Sequence, residues 1–225
     1  MTDNATEPAT PPTGYHLLLP EDWVQIPLRQ GDAEASVSSI VTAAFTRVPN
    51  GVPRDKLVPL RLELKRRLLA AVAEARKADV LELYVPMKLG GELNLGASFT
   101  VAQVRLPTRS GAGADPNGVS DPSGVAVQLL AGHRTAGMVS ADMSSGEIDG
   151  AVAIRRERVV AAAPEHRAEL ASRRVEYLVA VPADAGQWLV VAFSTIGAGD
   201  PEDGLSEALV EWFDALMTTF RWSWT

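Results

Sequence analysis

Residues 174–194 read RVEYLVAVPADAGQWLVVAFS, and this stretch decides the fold. Two runs rich in β-branched and aromatic residues, Val175–Val181 and Trp188–Phe193, flank Pro182–Gly186, whose Pro, Asp and Gly supply turn residues. That is the signature of a β-hairpin. The second run is apolar at every position, so both of its faces must be covered. In an antiparallel sheet this requires helices packed above and below, which makes the fold class α+β, an antiparallel sheet flanked by helices on both faces.

The segments on either side of the hairpin fit this frame. After it, Asp200 reads as an N-cap, with Pro201, Glu202 and Asp203 in a first helical turn. Leu205, Leu209, Trp212, Leu216 and Phe220 form the stripe that this helix should bury. Before the hairpin, strands are expected at 136–143 and 150–160, a short helix at 122–130, and a paired set of strands at 80–86 and 98–106 across the Gly90-Gly91 turn region. A helix runs from Pro53 or Pro59 to Ala78, with Leu57, Leu60, Leu64, Leu68, Val72 and Ala75 on one stripe. Another spans 32–48. Two short strands, 15–19 and 23–28, are expected about the turn Leu19-Pro20-Glu21-Asp22. Residues 1–14 and 109–121, rich in Pro, Gly and polar residues, read as a mobile tail and a long exposed loop, leaving 15–225 as a single domain.

Composition bounds the function. The chain has 225 residues, 46% of them hydrophobic and 22% charged, enough to bury a core of its own. A net charge of −7 argues against nucleic acid as a partner, because Lys and Arg contacts to phosphate supply most non-specific affinity. With no Cys there is no disulfide, zinc-thiolate site, Cys nucleophile or lipid-modified N-terminal Cys. No secretory signal is read at the N-terminus, and no apolar run approaches the roughly 20 residues of a spanning helix, so a cytoplasmic location without membrane insertion is expected.

Three segments carry a family resemblance: Leu19-Pro20-Glu21-Asp22-Trp23, VVAFSTIG at 190–197, and the closing run Phe213 to Trp222, FDALMTTFRW. In these the chain resembles actinobacterial members of the PsbP/Mog-like α/β/α sandwich superfamily, relatives of small mycobacterial lipoproteins and of type VI secretion effector chaperones. The resemblance implies a curved antiparallel sheet flanked by helices and a role in binding or assembly. It brings no catalytic residues with it, and the lipobox Cys of the lipoprotein members is missing.

The search for chemistry returns little. His16, His133 and His166 fall in unrelated elements and lack metal-ligand spacing. Residues 115–121 fail the calcium-loop pattern at Ser120 and Ala126. No P-loop, dinucleotide fingerprint or G-x-S-x-G elbow occurs. No cofactor is expected. Glu147 and Asp149 read as a solvated acidic pair in a turn. Arg155, Arg156 and Arg158 on one strand and Arg173 and Arg174 on the next gather beside each other on the sheet. They serve there either as a solvated edge that discourages aggregation or as a contact for carboxylate or phosphate groups. Trp224, beyond the last expected element, is an aromatic whose burial no helical pattern explains, and it joins the arginines as a candidate partner contact. The resulting expectation is a non-enzymatic, protein-binding or chaperone-like adaptor linked to secretion or a membrane-associated client. A small-molecule or lipid-binding module is the alternative, and an enzyme of unrecognised type ranks last.

Overall fold

A computed structural model describes residues 10–29, 32–46, 54–86, 96–106, 122–127, 141–163, 170–184 and 186–224. In chain order the elements are β1 (Gly14–His16), β2 (Trp23–Pro27), α1 (Ala33–Thr46), α2 (Arg54–Lys77), β3 (Val80–Pro86), β4 (Ala97–Arg105), α3 (122–127), β5 (Ala141–Ile148), β6 (Ala151–Val160), β7 (Ser172–Ala180), β8 (Gln187–Thr195), α4 (Gly204–Thr218) and β9 (Arg221–Ser223).

Seven strands form one antiparallel sheet in the order β2-β3-β4-β8-β7-β6-β5. It consists of two meanders, β2 to β4 and β5 to β8, joined where β4 pairs with β8 from Ala97↔Thr195 to Arg105↔Gln187. The β7–β8 hairpin lies at the centre, as its apolar runs require. Pro27 falls on an edge strand, where its missing N–H costs no ladder bond.

Register fixes which residues share a face. One row runs Tyr84, Phe99, Phe193, Val175, Glu157, Asp142 from β3 to β5, and the row beside it on the opposite face runs Leu83, Thr100, Ala192, Glu176, Arg156, Met143. The first face carries α4. Phe99, Val101, Val175, Val191, Phe193 and Phe213 are at most 1% exposed there. The Phe213 ring stacks on Phe193 at 4.9 Å and tilts against Phe99 and Tyr177 at 5.9 Å. The second face carries α1 and α2 over Ile26 and Leu83 at one edge, and α3, through Val125 and Ala126, over Ile154 and Trp188. The sheet is therefore flanked by helices on both faces.

Several expectations are corrected. The strand at 15–19 is not half of a hairpin with β2. β1 pairs instead with β9, Tyr15 opposite Trp222, as a separate two-stranded ribbon. Order begins before Tyr15, since Gly14 is in β1 and the Thr13 N–H donates to the Ser223 carbonyl at 2.7 Å. Residues 1–9 and 109–121 lie outside the described set. β5 continues to Ile148, and Asp149 (φ 48°) and Gly150 (φ 75°) form the two-residue turn of a β5–β6 hairpin, both in the left-handed conformation that such turns favour.

Asp149 is not merely solvated, for its carboxylate accepts the Trp222 N–H at 2.8 Å and so ties β9 to this turn. The N-cap of α4 is Asp203 rather than Asp200: it accepts the Ser206 N–H at 2.6 Å, while Asp200 caps only the turn before it. On α4 the deepest residue is Phe213, one position on from Trp212, which is half-buried and stacks on Trp23 at 4.8 Å. On α2, Leu60 is 60% exposed and off the buried stripe.

Candidate functional site

Alternation along a strand separates the five arginines. Arg155 and Arg173 point to the α4 face, whereas Arg156, Arg158 and Arg174 point to the opposite one. The two groups differ in kind.

On the α4 face the charges cancel. Arg155 donates to both carboxylate oxygens of Asp214 on α4, at 2.9 and 2.8 Å, and to Glu157 at 2.7 Å. Arg173 donates to Glu157 at 2.5 Å, and the Tyr177 hydroxyl to Asp214 at 2.8 Å. Burial works against the Arg155 charge, yet the hydrogen bonds it donates to Asp214 and Glu157 outweigh it and hold the guanidinium more firmly protonated than usual. Burial, then the bond to Asp214, pushes the Tyr177 phenol up, so it stays a donor. Two cations and two anions, fully engaged, form a clamp between sheet and helix.

On the opposite face the charges of the described residues do not cancel. Arg156 and Arg158 both converge on Glu176, Arg158 at 3.1 Å. Arg174 sits directly opposite Arg158 in the register, and its hydrogen bond among the described residues is a long one, 3.4 Å to the Ser172 hydroxyl. Like charges facing each other across a ladder repel. The Nε of Arg158 is buried without a partner among the described residues. The side chains of Arg156 and Arg158 are 34% and 31% exposed. Beside them on the same face run Ser98, Thr100 and Ser194, which add hydroxyls without bulk, and the small Ala192. Among the described residues this is a platform of three guanidinium groups on the same face as one carboxylate.

Trp224 lies elsewhere. It follows β9, is 54% exposed, and its indole N–H donates to the Thr10 carbonyl at 3.2 Å. The structure does not bring it to the arginines.

A second candidate escaped sequence reasoning. Between the β1–β9 ribbon and the β2–β3–β4 end of the sheet opens a cavity of about 540 Å³, within the range of small-ligand sites. Glu82 stands in its wall and accepts from the Tyr15 hydroxyl, from the Tyr84 hydroxyl at 2.6 Å and from the Gln25 amide at 2.6 Å. Burial, reinforced by Glu82, pushes both phenols above the ordinary tyrosine range, so each remains a proton donor. The donors come from β1, β2 and β3, and only register brings them together. Among the described residues no group of three or more His, Asp or Glu is arranged to hold a metal ion, and His16 stands exposed in β1. No described helix is long and apolar enough to cross a membrane.

No protein family and no curated protein matches the sequence. Among solved structures, the chain is similar to LpqN, a protein involved in cell envelope biogenesis of Mycobacterium tuberculosis, at 10% identity and a TM-score of 0.43 over 95% of this chain and 90% of that one. A likeness at that level establishes neither the PsbP/Mog-like superfamily nor a role.

Proposed function

We propose that the chain is a non-catalytic binding protein, an adaptor that holds a protein client through an acidic segment on the platform of Arg156, Arg158 and Arg174. The observation that carries this reading is the charge imbalance among the described residues: Arg156 and Arg158 share the Glu176 carboxylate and Arg174 stands beside them without an ion pair, on a face where the first two side chains remain about a third exposed. Planar guanidinium forks match carboxylates bidentately, and such contacts add orientation as well as attraction. The other polar clusters support a binding role. The α4-face clamp is neutral and internally satisfied, and the phenols on Glu82 and Asp214 are held protonated, which favours binding over nucleophilic catalysis.

Arg174→Glu is the sharp test, because Arg174 holds no ion pair among the described residues and its loss leaves Glu176 with both partners. A client recovered by cross-linking in the native host should lose affinity for this variant and for Arg158→Gln, and the remaining affinity should depend less on salt, while Arg174→Glu melts no lower than the wild type because it relieves the repulsion from Arg158. Recovery of the same client at full strength by Arg174→Glu would remove the platform from the contact. The cavity beside Glu82 favours a second reading, a module that holds a small polar molecule. A stoichiometric small molecule in the purified protein, with no client captured, would establish that reading in place of the adaptor.

A further inference from the structure

α2 carries eight Lys and Arg against three Asp and Glu, a local surplus of five positive charges on a chain whose net charge is −7. Its packed portion starts at Leu64, from which Leu64, Leu68, Leu69, Val72 and Ala75 join the core with α1, β2 and β3. Ahead of that point Val58, Leu60 and Leu62 are 57%, 60% and 63% exposed. Large apolar side chains gathered at one exposed helix end mark a surface suited to a partner.

The directions of these three side chains indicate what kind of partner. At about 100° per residue, Val58 and Leu62 lie roughly 40° apart around the helix, but Leu60 points about 160° away from Val58. A peptide groove reads one stripe of a helix, at i, i+3, i+4 and i+7. Aliphatic groups on opposite sides of the same helix end suit instead a fluid apolar phase, which accepts them from every direction. Within the next two turns stand Arg61, Lys65, Arg66 and Arg67, with Glu63 the one acid among them, held by Arg66 and Arg67 at 2.7 to 2.8 Å. The order along the helix is thus an apolar tip followed by a basic collar.

We infer that this end of α2 docks on the surface of an anionic lipid bilayer, the tip of Val58, Leu60 and Leu62 entering the acyl boundary and the collar of Arg61, Lys65, Arg66 and Arg67 meeting lipid phosphates. Each signal alone gives marginal attachment, and the two together give a stable one. Outside α2 the chain is strongly acidic, and on α2 the basic collar stands directly beside the exposed aliphatic tip.

Flotation of the full chain with phosphatidylcholine vesicles, with and without about one third phosphatidylglycerol, tests the inference. Binding is expected to the anionic vesicles only and should fall at least about tenfold between roughly 0.05 and 0.5 M salt. The double variant Leu60→Ser/Leu62→Ser should bind about tenfold more weakly or worse, and Arg61→Gln and Lys65→Gln about fivefold more weakly each. Leu60, Arg61 and Leu62 precede the packed part of α2, Lys65 lies within it without joining the core, and the 3.2 Å bond of Arg61 to the Thr42 hydroxyl is exposed, so melting temperatures should stay close to the wild type and separate lost docking from lost folding. The inference is overturned by failure of the wild type to bind anionic vesicles at low salt, by equal binding to neutral vesicles, or by variants that bind like the wild type. Capture of an acidic polypeptide such as polyglutamate by α2 without vesicle binding would assign the collar to a protein instead.

Discussion

Replacing Arg155 by Ala should destabilise the fold and leave client binding intact, the reverse of what Arg174→Glu should do. The Arg155 side chain is 18% exposed and makes three charge-assisted hydrogen bonds, two to Asp214 and one to Glu157. Stranding a buried charge costs about 3–5 kcal/mol, but neither carboxylate is stranded here. Asp214 keeps the Tyr177 hydroxyl and Glu157 keeps Arg173. Taking one strong bond as lost outright and the rest as partly replaced by water gives a loss of about 2 kcal/mol. Urea melts of the wild type, Arg155→Ala, Asp214→Ala and the double variant would measure it, with a coupling between the two positions of about 1 kcal/mol.

The acid limb of stability provides an independent check. Burial raises the Glu157 carboxyl, but hydrogen bonds from Arg155 and Arg173 outweigh it and hold the group below its ordinary value of 4.5. A depressed carboxyl stabilises the fold above its unfolded pKa, and that contribution disappears as pH falls through the folded value. The variant has already given up part of it, so the gap between wild type and Arg155→Ala should narrow below about pH 4.5. A loss under about 0.5 kcal/mol at neutral pH with no coupling in the cycle would refute the clamp and leave Arg155 a solvated residue.

Two further outcomes follow from packing. Phe213→Ala removes a fully buried ring that contacts Phe99, Phe193 and Tyr177, and should cost about 3–5 kcal/mol in denaturant melts; a cost below about 1 kcal/mol would mean that α4 is not seated as described. Gly197→Ala should lower the melting temperature, because Gly197 has a φ of 56° and a Cβ there would collide with Ser206 and Asp203, the groups that start α4. An unchanged melt would show that this turn can be remade.

How much was legible depended on how local the signal was. The β7–β8 hairpin announces itself through two dense apolar runs and a turn between them, and it proves to be the centre of the sheet. β5 hid because Ser144, Ser145, Gly146 and Glu147 carry no apolar alternation, as befits an edge strand facing water. The β1–β9 ribbon gave no local sign, since its partners stand at opposite ends of the chain. The division of the arginines was legible and overlooked: period-two alternation sends Arg155 one way and Arg156 and Arg158 in directions set by their even numbering, with β7 following through its register. Glu82 could not be paired with Tyr15 and Gln25 from sequence, because the three meet only after β1, β2 and β3 have taken their places.

The β1–β9 ribbon also sets a schedule for folding. Tyr15 stacks on Phe220 at 5.6 Å, and Gly14 pairs with Ser223, so the first described strand has no partner until the last one exists. The ribbon cannot close until residues 220–224 have left the ribosome, after every strand of both meanders has been made. Closing so long a loop adds little to the thermodynamic cost, which grows only with the logarithm of its length, yet it makes this the slowest pairing to find. Until then Phe220 and Trp222 have no seat, and the aromatic core around them stays open at one side. A chain whose ribbon is still open would hold a nearly finished sheet with an unsealed flank, the state in which a chaperone or a wrong partner has its best opportunity to intervene.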